Sequence, residues 1–177
     1  TTSFPPTPQP VATQFMTRPR FSLTLHALGQ QDGSLVFNPP TTPHARLFKT
    51  IPGGYAWYVV KLTAILHRRG GAVVPIDGCH SPEKLMVDSG SNMLGVAPGV
   101  ADGLRSTLSS GGDLILRLVD VHGRDFDYVV PESTYRHMDG TLLLDDHGRH
   151  DMVVLGSLFM VGRTFVFDDE SVGIVDN

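Results

Sequence analysis

The chain has 177 residues, of which 41% are hydrophobic and 18% are charged, so it can bury a core of its own and is not a disordered tail. Its 14 Lys and Arg against 18 Asp and Glu give a formal net charge of −4; without a basic stripe, nucleic acid is not an expected partner. The apolar runs are shorter than a membrane span, so no transmembrane helix is expected.

The N-terminal stretch is rich in proline and carries no periodic apolar pattern. This composition predicts an extended arm or linker over residues 1–14, followed by a single domain over residues 15–177. The stretch lacks the basic start and apolar core of a signal peptide. It is either the trimmed end of a longer precursor or an arbitrary boundary of the sequence.

The first half of the domain carries the signals of short strands joined by turns. Residues 21–25 alternate apolar and polar side chains, as a half-buried strand does, and Asp32-Gly33 supplies a hairpin turn. Trp57 and Tyr58 have strand spacing and are expected to pack in the core or at a sheet edge rather than line a substrate site. Strands are predicted at residues 21–25, 34–37, 55–66 and 72–76.

An acid interrupts the apolar run of residues 85–94. Leu85, Met86 and Val87 predict a buried strand, and the small residues after Asp88 predict a sharp turn. Asp88 is therefore expected at the end of a strand, under a tight loop, where catalytic side chains are often mounted.

The second half predicts one helix among further strands. Apolar residues at Val100, Leu104 and Leu108 have helical spacing and follow Pro98, which predicts a helix over residues 98–108. Strands are predicted at 114–121 and 126–130, joined by a turn at 122–125. The predicted fold class is mostly β with one or two short helices.

Three segments of the chain resemble segments of one protein family. Asp-Ser-Gly-Ser at residues 88–91, after an apolar strand, resembles the active-site loop of the pepsin-like aspartic peptidases. Residues 153–175 resemble the end of the C-terminal lobe in that family, and residues 126–135 resemble its Tyr-x-Leu-x-Pro-x-x-Tyr segment. The resemblance covers roughly residues 15–177 and implies a pepsin-like β-barrel lobe.

The resemblance implies roles for the residues of the loop. Asp88 corresponds to a catalytic aspartate, and Ser89 to a residue whose hydroxyl bonds across to the loop of the partner lobe. Gly90 lets the backbone approach the carboxylate closely. Ser91 corresponds to the hydroxyl that bonds the outer carboxylate oxygen and fixes its orientation.

Further roles follow by the same resemblance. Met86 corresponds to a wall of a substrate pocket, and Gly90, Ser91 and Asn92 to further substrate contacts. Asn92 departs from the usual Ser or Thr, which puts those contacts in doubt. Leu155 and Gly156 correspond to a segment that braces the loop from below. Ser157 replaces the common Asp after that glycine.

Only one Asp-Ser/Thr-Gly triplet is present, and no internal repeat marks a second lobe. Since a pepsin-like enzyme needs two aspartates, the first hypothesis is the C-terminal half of an aspartic endopeptidase, processed from a precursor and paired with an N-terminal lobe on a separate chain. The second is a homodimeric, retropepsin-style peptidase. The third is an inactive pepsin-like scaffold that serves as a binding or assembly subunit.

No cofactor is expected, and no metal site. His137, His147 and His150 cluster with aspartates, but they lie in a polar segment without the spacing of a helical zinc site. No Gly-x-Ser-x-Gly motif surrounds Ser89 or Ser91, so neither is expected to be a nucleophile. The expected substrate is a peptide or protein.

Cys79 is the only cysteine, so no disulfide can form within these 177 residues. A free thiol is the favoured interpretation, and pairing with another chain is the alternative. The lone cysteine indicates a reducing or viral setting, whereas the family resemblance implies secretion or an acidic compartment. The localisation stays open between them.

Overall fold

The computed structural model describes residues 20–26, 32–41, 44–52, 58–80, 82–146, 148 and 151–176. The predicted arm at residues 1–14 lies outside the described residues, as do Trp57, His147 and His150. Within the described residues there is no helix of the length and apolarity that crossing a membrane requires.

Short strands dominate the fold, as the alternating sequence patterns predict. The strands are β1 (Phe21–Thr24), β2 (Ser34–Phe37), β3 (Arg46–Lys49), β4 (Val59–Arg69), β5 (Ala72–Pro75), β6 (Lys84–Val87), β7 (Leu94–Gly95), β8 (Asp113–Val119), β9 (Asp125–Val130), β10 (Leu144–Asp145), β11 (Met152–Leu155), β12 (Arg163–Phe167) and β13 (Ser171–Asp176). The helices are α1 (Pro98–Leu108), α2 (Glu132–Tyr135) and α3 (Ser157–Met160).

The strands form two sheets. One has five strands in the order β2-β1-β12-β13-β3, and the other has eight, in the order β10-β7-β11-β6-β4-β8-β9 with β5 paired to β4. The prediction of a mostly β fold is confirmed. In two details the structure differs: it has three helices rather than one or two, and in the part of the chain described here the sheets do not close into a barrel.

A single apolar cluster joins the two sheets. It takes Phe48 and Phe165 from the five-stranded sheet and Leu85 and Leu155 from the eight-stranded one, all of them fully buried. Helix α1 adds its buried face to the same cluster, including Leu104. Strand β6, which leads to Asp88, is therefore anchored in the core through Leu85 and Val87.

Most of the predicted elements coincide with observed ones, and α1 begins and ends at the predicted residues. Strand β4 continues to Arg69, beyond its predicted end at residue 66. The turn between β4 and β5 consists of Gly70 and Gly71, which both have positive φ. Strand β3 and helix α2 were not predicted. Each has only four residues, too few to show a period, and one buried side chain.

Cys79 is a free, buried thiol. Its Sγ lies 3.6 Å from the backbone carbonyl of Val100. Burial, with a smaller contribution from Asp77, raises the pKa of the thiol to about 11. Because the thiolate is the reactive form, this cysteine is inert, and its burial keeps it out of reach of a cysteine on another chain.

Candidate active site

The eight-stranded sheet places Asp88 at the end of β6. Strand β6 is parallel to β11, with Leu155 opposite Val87, and antiparallel to β4, with Val59 opposite Met86. The pairing continues beyond the strand, since the backbone N–H of Asp88 donates to the carbonyl of Leu155 at 3.1 Å. The neighbouring strands on both sides thus fix the backbone at Asp88.

Each oxygen of the Asp88 carboxylate accepts one hydrogen bond from the loop that follows. The backbone N–H of Gly90 donates to Oδ1 at 2.9 Å, and Ser91 Oγ donates to Oδ2 at 2.8 Å. The backbone N–H of Ser91 also donates to the carbonyl of Asp88 at 3.2 Å. The loop therefore sets the plane of the carboxylate through neutral donors.

No Lys, Arg or His among the described residues forms an ion pair with Asp88. The carboxylate is half-buried and faces a cleft. The described surroundings of Asp88 thus combine two neutral hydrogen-bond donors with an open side on the cleft.

Two glycines let the loop close around Asp88. A Cβ on Gly90 would lie 3.1 Å from Asp88 Oδ1, tight against the oxygen that the residue's own N–H contacts. A Cβ on Gly156 would lie 2.4 Å from the carbonyl oxygen of Met93 and 2.7 Å from the carbonyl carbon of Asn92. The atoms that this Cβ would meet at Gly156 belong to the backbone, so no rotation of a neighbouring side chain can relieve the contact.

The segment after β11 holds the far end of the loop. The backbone N–H of Ser157 donates to the carbonyl of Ser91 at 2.7 Å, and that of Leu158 to the carbonyl of Asn92 at 3.4 Å. Ser157 Oγ donates to Asn92 Oδ1 at 3.1 Å. Asn92 and Ser157, the two residues that depart from the pepsin-like sequence pattern, are therefore joined by a side-chain hydrogen bond.

A mainly apolar cleft with a volume of about 310 Å³ lies beside Asp88. Its lining includes an aromatic cluster of three rings, in which Phe21 stacks on Phe167 at a centroid distance of 4.7 Å and Tyr58 packs on Phe167 at 4.6 Å. The remaining lining residues are Met86, Val87, Asp88 and Ser89. Such a wall suits an apolar side chain held next to the carboxylate.

Tyr58, one of the lining residues, has a raised pKa. Burial is the main cause, followed by the nearby carboxylates of Asp169 and Asp168. The phenol therefore stays protonated at neutral and acidic pH.

The structure distributes the predicted site residues over two places. Met86 and Ser89 line the cleft beside Asp88, whereas Gly90, Ser91 and Asn92 do not. Gly90 and Ser91 instead bond the carboxylate.

The aromatic lining of the cleft was not predicted. Tyr58 packs against the core, as expected, and also lines the cleft. The position of Tyr58 follows from strand pairing, which a local pattern does not contain. Tyr58 immediately precedes β4, which pairs with β6, and its carbonyl accepts the N–H of Val87 at 2.9 Å.

The part of the chain that the structure describes holds no group of three His, Cys, Asp or Glu side chains arranged to bind a metal ion. Of the acids that the sequence clusters near the histidines, Asp146 pairs with Arg105 at 2.7 Å and Asp151 with Lys84 at 2.9 Å. His137 lies 3.2 Å from Asp139. Asp146 and Asp151 therefore take part in ion pairs with basic side chains.

No protein-family model and no curated protein matches the chain. Among solved structures it is similar to basic 7S globulin from soybean, with a TM-score of 0.65 and 12% sequence identity. The superposition covers 92% of this chain and 51% of the globulin chain, so this chain spans about half the length of that structure. At this identity the similarity shows the fold alone, which is pepsin-like.

Proposed function

We propose that this chain is one catalytic half of an aspartic endopeptidase, and that Asp88 supplies one carboxyl group of a two-aspartate pair. The observation that carries the proposal is the Asp88 carboxylate itself. It faces a cleft, and Gly90 N–H and Ser91 Oγ orient it, while no cation of the described part of the chain forms an ion pair with it. The other carboxyl group would come from a second lobe.

The chemistry follows from two carboxyl groups held in contact. Two like charges at such a distance cannot both ionise cheaply, so the pair shares one proton. The ionised member takes a proton from a water held between the two groups, and the oxygen of that water attacks the carbonyl carbon of the peptide bond. The protonated member donates its proton to the carbonyl oxygen as negative charge develops there.

The cleft supports a peptide as the substrate. Met86, Tyr58 and the ring of Phe21 form an apolar wall next to Asp88, which can hold one side chain of an extended peptide while its carbonyl lies near the carboxylate. The pH range of the reaction belongs to the aspartate pair and not to Asp88 alone.

The test is acid-dependent cleavage of a denatured protein substrate by the chain together with its partner lobe. Asp88→Asn keeps the shape of the side chain and removes the titrating proton, and we expect it to lower kcat/KM by at least about a thousandfold. Asp125→Asn is the matched control, because Asp125 is exposed and the same charge is removed. We expect it to retain activity.

Cleavage that is undiminished in Asp88→Asn would exclude the proposal. A chain with no Asp88-dependent cleavage in any complex would instead be a pepsin-like binding or assembly subunit. Native mass spectrometry distinguishes the partner-lobe enzyme from the homodimer, since the homodimer has twice the mass of this chain.

A further inference from the structure

The face of β6 that leads to Asp88 changes its chemistry with distance from the loop. Leu85 and Val87 are buried in the core, so Lys84 and Met86 lie on the opposite face of the strand. Asp88 follows in the same alternation, and both Asp88 and Met86 line the cleft. Along this face a carboxylate is therefore followed by an apolar side chain and then by a lysine.

The neighbouring strand β4 repeats this change. Val59 lies opposite Met86, and Lys61 lies opposite Lys84. On the other side of β6, Val154 of β11 also lies opposite Met86. Val59, Met86 and Val154 are all half-buried and form an apolar row beside the cleft. Two residues farther along β4 and β6, this row is followed by the two lysines.

Two lysines directly opposite each other are unfavourable for the sheet. Residues that face each other across antiparallel strands have Cβ atoms about 5 Å apart, and like charges at such positions destabilise the pair. Lys84 Nζ is neutralised by Asp151 Oδ2 at 2.9 Å. Lys61 is exposed and forms no ion pair with any described residue. The lysine pair therefore carries one positive charge that no ion pair in the described part of the chain balances.

Two other described basic residues without an ion pair provide the contrast. Lys49 shares a surface pocket with the acidic turn that contains Glu170. Arg69 is one of the cations close to Glu132. For Lys61, by contrast, the residue across the strand pair is a second lysine. The arrangement at Lys61 thus favours an anion that comes from another molecule.

We propose that Lys61 and Lys84 bind an acidic side chain of the peptide substrate. The inference rests on the proposed function and adds a substrate class. The preferred peptide has an apolar residue next to the cleaved bond and Asp or Glu two positions farther from that bond. The apolar residue occupies the cleft beside Met86, and the carboxylate lies between the two ammonium groups.

The spacing of the two rows matches an extended peptide. Side chains two positions apart in an extended chain point to the same side and lie about 6.6 Å apart, which is also the separation of Met86 and Lys84 along β6. Each lysine has a flexible stem and three N–H donors, so both can reach one carboxylate. Because Lys61 is exposed, the ion pair with the substrate is expected to be modest in strength and sensitive to salt.

The experiment maps the bonds that the chain and its partner lobe cleave in a library of peptides from denatured protein. At about pH 5.5, where Asp and Glu are ionised, we expect these acids to be enriched two positions beyond the apolar residue. Two synthetic peptides that differ only by Glu or Gln at this position then measure the preference. We expect kcat/KM to be about three- to fivefold higher for Glu, mainly through KM, and the ratio to approach one in about 1 M NaCl or at about pH 3.

A charge reversal at Lys61 assigns the preference to the lysine pair. Lys61→Glu should lose the preference for the Glu peptide and cleave a peptide with Lys at the same position about threefold better than wild type does. Lys49→Glu is the matched control, because Lys49 is an equally exposed strand lysine of the five-stranded sheet. It should leave the ratio of the two kcat/KM values unchanged.

The outcomes separate this inference from the proposed function. If cleavage depends on Asp88 but the Glu and Gln peptides are cleaved equally well, the acidic subsite is wrong and the proposed function stands. The same conclusion holds if Lys61→Glu keeps the wild-type preference, or if Lys49→Glu loses it to the same extent. If no complex shows Asp88-dependent cleavage, both the inference and the proposed function are overturned.

Discussion

Asp88 and Asp120 occupy the same local position and have different surroundings. Each follows a valine that ends a strand, and each accepts at Oδ1 a 2.9 Å hydrogen bond from the backbone N–H two residues on, that of Gly90 or of His122. The two aspartates differ in the groups that contact the second carboxylate oxygen, which are two arginines at Asp120 and the Ser91 hydroxyl at Asp88. The local turn alone therefore does not set the charge around an aspartate.

Cations surround the second oxygen of Asp120. Arg46 Nη1 donates to Oδ2 at 2.9 Å and Arg124 Nε at 3.0 Å, and the side chain is buried. Burial opposes ionisation, but the N–H of Arg124, the two guanidinium groups and the N–H of His122 outweigh it and hold the pKa of Asp120 well below its usual range. Asp120 is therefore a fixed charge that ties β3 to the turn after β8.

The largest effect on stability is expected at Asp120. Asp120→Asn leaves two arginines without their counter-charge and places an amide among donors. We expect it to lower Tm by more than about 5 °C, measured by thermal unfolding at pH 6. Asp88→Asn should leave Tm within about 2 °C, because no cation among the described residues loses its partner there. Equal losses of Tm in the two variants would contradict the comparison.

The loop of Asp88 is supported by backbone packing, and Gly156 tests that support. The Cβ of Gly156→Ala would press on the Met93 carbonyl at 2.4 Å. We expect the free energy of unfolding to fall by about 2 kcal/mol or more, together with any Asp88-dependent cleavage.

Gly99 is the matched glycine for that measurement. It lies in α1, and a Cβ there would meet nothing within 4 Å. Gly99→Ala should raise the free energy of unfolding by about 0.5 to 1 kcal/mol, because alanine favours the helix. Denaturant unfolding of the two variants gives both values, and a stable, active Gly156→Ala protein would refute the packing argument.

The second oxygen of Asp88 has Ser91 in place of a cation. Ser91→Ala removes the hydroxyl that lies 2.8 Å from Oδ2, and we expect kcat/KM for peptide cleavage to fall by about ten- to a hundredfold with little change in Tm. Ser106→Ala is the matched control, because Ser106 is an exposed residue of α1 outside the loop of Asp88. An equal loss of kcat/KM in Ser106→Ala would contradict the role of the Ser91 hydroxyl.

The smallest predicted effect is the pH dependence of the stability that Asp120 contributes. The pKa of Asp120 is lower in the folded than in the unfolded chain, so its contribution to stability is complete above the unfolded value of about 4 and is lost as pH falls below it towards the folded value. The difference in Tm between the wild type and Asp120→Asn should therefore be constant from pH 7 to 5 and narrow below pH 4. A difference that widens in acid would show that the sign is wrong.

Local patterns were sufficient for much of the architecture. The spacing of Val100, Leu104 and Leu108 after Pro98 predicts α1, because residues four apart lie on the same face of a helix. The alternation in residues 21–25 predicts β1 for the same kind of reason. Strand β3 could not be found in this way, since only Phe48 of its four residues is buried and its pairing with β13 joins distant parts of the chain.

The sequence by itself determined that Asp88 lies between a buried strand and a tight turn, because an apolar run, an acid and small residues are all local signals. It could not give the charged groups around Asp88 or Asp120, because those groups come from other segments of the chain. Only the tertiary structure brings Arg46 to Asp120 from 74 positions away and leaves Asp88 beside the aromatic cleft. The physical reason is that the charge near a carboxylate depends on contacts between distant segments, which a local pattern does not contain.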